Sequence, residues 1–84
     1  MLSQDFEFTN HALRMLNERN IPPEWVRLAL ESPDHTEIGA DDNVHYIKSS
    51  HEFGPRTFRV IVNASVTPNR VITFFFDRRL RTPL

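Results

Sequence analysis

Apolar and polar residues recur with helical spacing in the first third of the chain and with strand spacing in the remainder. When residues from Thr9 to about Arg19 are placed about 100° apart, the apolar ones gather on one side, which predicts an amphipathic helix capped by Thr9 or Asn10. Pro23 suits the first turn of a second helix that ends at about Glu31. The apolar sides consist of Ala12, Leu13, Met15 and Leu16 in the first helix and of Trp25, Val26, Leu28, Ala29 and Leu30 in the second.

Strand periodicity begins at His35 and predicts four strands separated by short turns. The predicted strands cover about His35 to Ile38, Val44 to Ser50, Arg56 to Ala64, and Arg70 to Asp77. Turn-forming residues lie between them, so consecutive strands are expected to pair antiparallel as a meander. A short edge strand at Phe6-Glu7-Phe8 precedes the first helix.

Strand alternation divides the side chains between the two faces of the predicted sheet. In the third of the four strands, Phe58, Val60 and Val62 share one face and leave Arg59 on the other. The last strand is apolar on both faces, with Ile72, Phe74 and Phe76 opposite Val71, Thr73 and Phe75, which favours a central position. The predicted fold is α+β, with two N-terminal helices packed on one face of an antiparallel sheet of about four strands. The other face is expected to be partly open.

Length and composition indicate one folded domain, residues 1–84. The chain is 39% hydrophobic and 25% charged, which is typical of a globular protein. It has no cysteine, so neither a disulfide framework nor a thiolate zinc site is possible. The polar start of the chain does not resemble a signal peptide, and we expect a soluble, cytoplasmic protein with no membrane partner. Because the net charge is −1, nucleic-acid binding would require a local basic patch.

Arginine dominates the basic residues, with nine of ten, Lys48 being the exception. The densest group, Arg78, Arg79 and Arg81, directly follows the most hydrophobic run of the chain. A planar guanidinium grips a phosphate or carboxylate with two parallel hydrogen bonds, so arginines at a strand end suggest anion recognition. The alternative is that they are ordinary surface residues whose stems cover apolar area.

Five short segments spread along the chain form a recognisable pattern: Phe6-Glu7-Phe8, His11-Ala12, Glu18-Arg19-Asn20-Ile21, Glu31-Ser32-Pro33 and Arg70-Val71-Ile72-Thr73-Phe74. The pattern covers nearly the whole chain and resembles a family of small bacterial domains of unknown function that is itself similar to the BrnT toxins, which have the RelE-like ribonuclease fold. BrnT sequences end in a strand of the form Arg-x-Ile-Ser-x-Arg, and here Phe74-Phe75 occupies the positions where the last arginine would fall.

This resemblance implies an endoribonuclease-type toxin, or a degenerate relative, that acts on free or ribosome-bound RNA without metal or cofactor and is neutralised by an antitoxin protein. RNA cleavage through the 2′-hydroxyl needs a base, a proton donor and positive charge on the phosphate. The residues expected to serve are Arg59 and Arg78 as phosphate clamps, His11 or His45 as the proton-transfer group, and Tyr46 as a weaker candidate. Arg79 and Arg81 would extend the RNA-binding or anion-binding surface.

Structural roles for the same residues remain open alternatives. His11 could cap the first helix, His45 could be a surface residue of a strand, and Arg59 could pair with an acid such as Glu37. A non-enzymatic module that binds protein or nucleic acid is the alternative function, and self-association is not excluded. A metal site from His35, His45 and His51 lacks the short paired spacing of known sites.

Overall fold

The computed structural model describes residues 6–54 and 56–81, except for the side chains of Glu52 and of residues 78–81. Its elements follow the predicted order, and β5 continues beyond its predicted end at Asp77. In chain order they are β1 (Phe6–Phe8), α1 (Asn10–Glu18), α2 (Pro23–Glu31), β2 (His35–Ile38), β3 (Val44–Ser49), a 3-10 turn (His51–Phe53), β4 (Arg56–Asn63) and β5 (Asn69–Arg81).

The strands form one sheet in the order β1-β5-β4-β3-β2. The antiparallel meander of β2 to β5 is confirmed. The prediction of about four antiparallel strands is wrong in one respect, because β1 adds a fifth strand that pairs parallel with β5 and makes the sheet mixed. Phe6 lies opposite Asn69, and the Thr9 N–H donates to the Val71 carbonyl at 3.1 Å. The periodicity within a segment does not predict that it pairs with a strand at the other end of the chain.

Both helices begin and end where local chemistry favours it. The Thr9 hydroxyl accepts the Ala12 N–H at 3.1 Å and donates to the Ile72 carbonyl at 3.1 Å, so it caps α1 and ties the helix to β5. Asn20 follows α1 in the left-handed region with φ of 53°, a conformation that asparagine tolerates. Pro23 occupies the first turn of α2, where its missing N–H costs nothing.

The core lies between the helices and one face of the sheet. Leu13 is 49% exposed, so its predicted place on the buried side of α1 is wrong. The side of α1 that packs against the core is therefore narrower than the periodicity predicted. Aromatic rings fill the layer over β4 and β5, with Phe58 and Phe74 completely buried. The core cluster consists of Ala12, Met15, Ile21, Val26, Ala29, Phe53, Phe58, Val60, Val62, Val71 and Phe74.

A register shift in β5 overturns part of the predicted alternation of the last strand. Ile61 lies opposite Thr73 and Val62 lies opposite Val71, so Ile72 is an extra residue in β5. Val71 therefore faces the core together with Phe74, although simple alternation put them on opposite faces. From Thr73 onward the strand returns to the predicted pattern.

Candidate functional site

The face of the sheet opposite the helices carries a buried cluster of charged residues centred on Arg59. The Arg59 side chain is 10% exposed in the middle of β4. Its Nε donates to Asp77 Oδ2 at 2.9 Å, and its Nη1 donates to Glu37 Oε2 at 3.2 Å. The ion pair with Glu37, considered from sequence as an alternative role for Arg59, is present. Asp77, on β5, is even less exposed than Arg59, at 3% for its side chain.

His45 joins this cluster from β3. Arg59 Nη1 lies 2.8 Å from His45 Nδ1, and because a guanidinium can only donate, Nδ1 must be the acceptor. The neutral ring then carries its proton on Nε2, which lies 3.2 Å from Asp41 Oδ1. Asp41, His45, Arg59 and Asp77 thus form a chain of hydrogen bonds across three strands and one turn. Both ring nitrogens of His45 are engaged, so proton transfer to a ligand would require one of these bonds to open.

The turn between β2 and β3 positions Asp41 and His45. Asp42 adopts a left-handed conformation with φ of 66°, and Asp41 Oδ1 also accepts the Asn43 N–H at 3.0 Å. Gly39 lies so near the His45 ring that a Cβ at this position would overlap His45 Nε2. The absence of a side chain at Gly39 is therefore what allows the ring to reach both partners.

Two carboxylates around this cluster are held in the charged form. The hydrogen bond from His35, followed by that from Arg59, lowers the pKa of Glu37 below its ordinary value. The Asn43 backbone N–H, with a smaller contribution from His45, lowers the pKa of Asp41. The positive charge of Arg59 is therefore matched by carboxylates of the protein, and an incoming phosphate would have to compete with them.

His11 lies apart from the Arg59 cluster. Its side chain is exposed on the first turn of α1, and its Nε2 is 3.4 Å from Thr73 Oγ1. Thr73 is opposite Ile61, which is opposite His45, so Thr73 and His45 lie two strand spacings apart, about 10 Å. The structure does not bring His11 and His45 into contact.

Tyr46 lies on the helix-covered face, where it pairs with Val60 and its ring meets Phe6 edge-on with centroids 6.3 Å apart. This places Tyr46 on the opposite side of the sheet from Arg59. Among the described residues, histidines and carboxylates form no group of three or more suited to hold a metal ion.

Four arginine positions of the backbone lie at the end of the sheet where β4 begins and β5 ends. The register places Arg56 opposite Arg81, with Asp77 opposite Thr57. Residues 78–80 therefore lie between these two pairs, and they include Arg78 and Arg79. The backbones of the three predicted anion-binding arginines belong to β5, whereas their side chains lie outside the described residues.

Arg56 itself is exposed, and the groups that contact it in the described part of the chain are uncharged. Its Nε donates to the Phe53 carbonyl at 2.9 Å, and its guanidinium carbon lies 3.9 Å from the centre of the Phe76 ring. These contacts orient the guanidinium without cancelling its charge.

Sequence analysis did not single out Asp77, Gly39 or Arg56. Asp77 could have been found from the alternation of side chains along β5, because Thr73, Phe75 and Asp77 share the face on which Arg59 lies. Arg56 could have been found from its place at the start of a predicted strand. Gly39 gave no signal beyond that of a turn residue, since its role depends on the position of the His45 ring.

The model of a family described as a domain of unknown function (DUF4258) matches residues 8–76. No curated protein matches the chain, and no solved structure does. Neither helix in the described part of the chain combines the length and apolar character needed to cross a membrane.

Proposed function

We propose that this chain, which belongs to the DUF4258 family, binds RNA through the arginines gathered where β4 begins and β5 ends. The observation that carries the proposal is the register of Arg56 opposite Arg81. It brings to one end of the sheet a described arginine and the segment that contains three more.

The contacts of Arg56 support anion binding better than those of Arg59. A guanidinium resting on the Phe76 ring keeps its charge and its outward N–H groups for a phosphate. Arg59 has its charge matched by Glu37 and Asp77. The ion pair between Arg59 and Asp77 also joins β4 to β5 directly before Arg78.

RNA is favoured among polyanions by the resemblance to the BrnT and RelE-like toxins. The phosphates along an RNA strand can each contact one of several arginines. The affinity of such binding falls steeply as the salt concentration rises. The chain has a net charge of −1, so attraction must come from this local group rather than from the whole molecule.

The test is fluorescence anisotropy of a labelled single-stranded RNA oligonucleotide titrated with the protein at several salt concentrations. We expect Arg56→Gln and Arg81→Gln each to weaken binding and to reduce the salt slope by about 0.7 per lost phosphate contact. Arg70→Gln is the matched control, because Arg70 is exposed near the opposite end of β5, where it lies opposite Asn63. An equal loss of affinity in all three variants would contradict the proposal.

A second candidate is metal-independent RNA cleavage of the toxin type, with an antitoxin protein as partner. The observation that favours it is the exposed His11 ring beside Thr73 on the edge of the uncovered face. An accessible imidazole can serve as general acid or base toward a 2′-hydroxyl. In this mechanism Arg59 and Arg78 would clamp the phosphate, and His45 would transfer a proton only after releasing Arg59 or Asp41.

Cleavage is tested by incubating the protein with RNA in the presence of a chelator and by expressing it in a bacterial host. Fragmentation and growth arrest that disappear in His11→Asn would support catalysis. Intact RNA and normal growth would contradict cleavage. If RNA binding is salt-dependent in the same preparation, the protein binds RNA without cleaving it.

A further inference from the structure

The edge strand β2 combines exposed side chains with a row of outward-facing backbone groups. It ends the sheet order β1-β5-β4-β3-β2, and all four of its residues are exposed. Ile38, at its end, is 67% exposed, which is unusual for a large aliphatic residue in a strand. An edge of this kind is a template for pairing with another strand.

Hydrogen bonds in the β2–β3 turn show which residues of β2 face outward. The Gly39 N–H donates to the Asn43 carbonyl at 2.9 Å, which makes these two residues a hydrogen-bonded pair. In an antiparallel ladder such pairs alternate with non-hydrogen-bonded ones, so Glu37 and His35 direct their backbone groups to β3. Thr36 and Ile38 therefore direct theirs away from the sheet.

We propose that β2 pairs antiparallel with β2 of a second copy of the chain, about a twofold axis at Thr36. In this register the outward N–H and C=O of Thr36 exchange hydrogen bonds with those of Thr36 in the other copy. The two five-stranded sheets then form one continuous ten-stranded sheet. This dimer is independent of the proposed RNA binding, since it uses the edge of the sheet farthest from β1 and β5.

Charge complementarity selects this register. With Thr36 on the axis, His35 of each copy lies opposite Glu37 of the other, in non-hydrogen-bonded pairs where side chains approach most closely. A shift that places residue 37 on the axis would set two Glu37 carboxylates opposite each other, and one that places residue 35 there would set two His35 rings together. The His35–Glu37 hydrogen bond within one chain, at 3.2 Å, would become part of a four-residue cluster.

The proposal is tested by measuring the molar mass of the full chain with light scattering, from low micromolar to several hundred micromolar protein. We expect the mass to approach twice the 9.9 kDa of one chain as concentration rises. Thr36→Pro removes an N–H that faces outward, and an edge strand tolerates proline there, so this variant should remain monomeric and folded. Thr36→Val keeps the N–H and should dimerise like the wild type.

A second variant guards against misfolding of the proline variant. His35→Glu places carboxylates opposite each other across the axis and should shift dimerisation to at least tenfold higher concentration, whereas His35→Gln, which keeps a donor, should shift it much less. Circular dichroism confirms folding of each variant. A wild type that stays monomeric throughout, or a dimer unaffected by both Thr36→Pro and His35→Glu, would overturn the proposal.

Discussion

Two arginines three residues apart on β4 have opposite surroundings. Arg59 lies on the uncovered face of the sheet, has a side chain that is 10% exposed, and pairs with two carboxylates. Arg56 is exposed at the start of the strand, where it contacts the Phe53 carbonyl and the Phe76 ring. Among the described side chains, carboxylates thus match the charge of Arg59, whereas none of them pairs with Arg56.

The difference teaches that an arginine can be assigned to anion binding only once its partners are known. A guanidinium removed from water is stable when carboxylates and acceptors satisfy it, as Asp77, Glu37 and His45 do for Arg59. An arginine at a strand end stays solvated and can bind an external phosphate without losing internal partners.

The largest expected effect comes from breaking the Arg59 cluster. Arg59→Met removes the ion pair with the buried Asp77 carboxylate, and we expect a loss of about 3–5 kcal/mol in the free energy of unfolding, measured by urea denaturation. Arg59→Met combined with Asp77→Leu should cost less than Arg59→Met alone, because both charges are then removed. An Arg59→Met variant as stable as the wild type would mean that the ion pair does not stabilise the fold.

The next largest effect tests how the His45 ring is positioned. Gly39→Ala introduces a Cβ that overlaps His45 Nε2, so the ring must move and its bonds to Asp41 and Arg59 weaken. We expect a loss of about 1–3 kcal/mol in unfolding free energy, the usual cost of overpacking. In a His45→Ala background the ring is gone and only the Asp41 carboxylate remains close to the new Cβ, so Gly39→Ala should cost less. Equal costs in both backgrounds would show that the overlap with His45 is not the cause.

Local patterns in the sequence were sufficient to predict the helices and the meander. Thr9, Pro23 and the turn residues act on their immediate neighbours, so their effects can be read without the fold. The parallel pairing of β1 with β5 could not be predicted in this way, because it joins the two ends of the chain. The extra residue at Ile72 was also missed, since it moves Val71 to the core face without any glycine or proline to mark it.

The candidate site was predicted only in part for the same reason. Alternation placed Arg59 on the face away from Phe58 and Val60, and the register confirms that placement. The carboxylates that reach Arg59 come from other strands than its own. Asp77 lies on the adjacent strand β5, and Glu37 lies on β2, two strands away. Separations of this kind follow from sheet order and register, not from spacing along the chain.

A smaller effect is expected from the pH dependence of the Glu37 contacts. Since the pKa of Glu37 is lowered in the folded chain, its charged form stabilises the fold above the ordinary carboxyl pKa of 4.5, and this contribution is lost as pH falls through the lowered value. The stability difference between the wild type and Glu37→Gln should therefore be largest near neutral pH and shrink in acid. Urea denaturation across this pH range measures it, and a difference that does not change with pH would contradict the assignment.

The smallest effect on stability, and the sharpest contrast with Arg59, is expected from Arg56→Gln. An exposed cation on an aromatic ring contributes about 0.5–1 kcal/mol, so unfolding free energy should fall by no more than this, while RNA affinity should fall more than in the Arg70→Gln control. A large loss of stability with unchanged RNA affinity would contradict this assignment, because Arg56 would then stabilise the fold and not bind RNA. The combination of small destabilisation and weakened RNA binding is what a surface arginine that binds an external phosphate should produce.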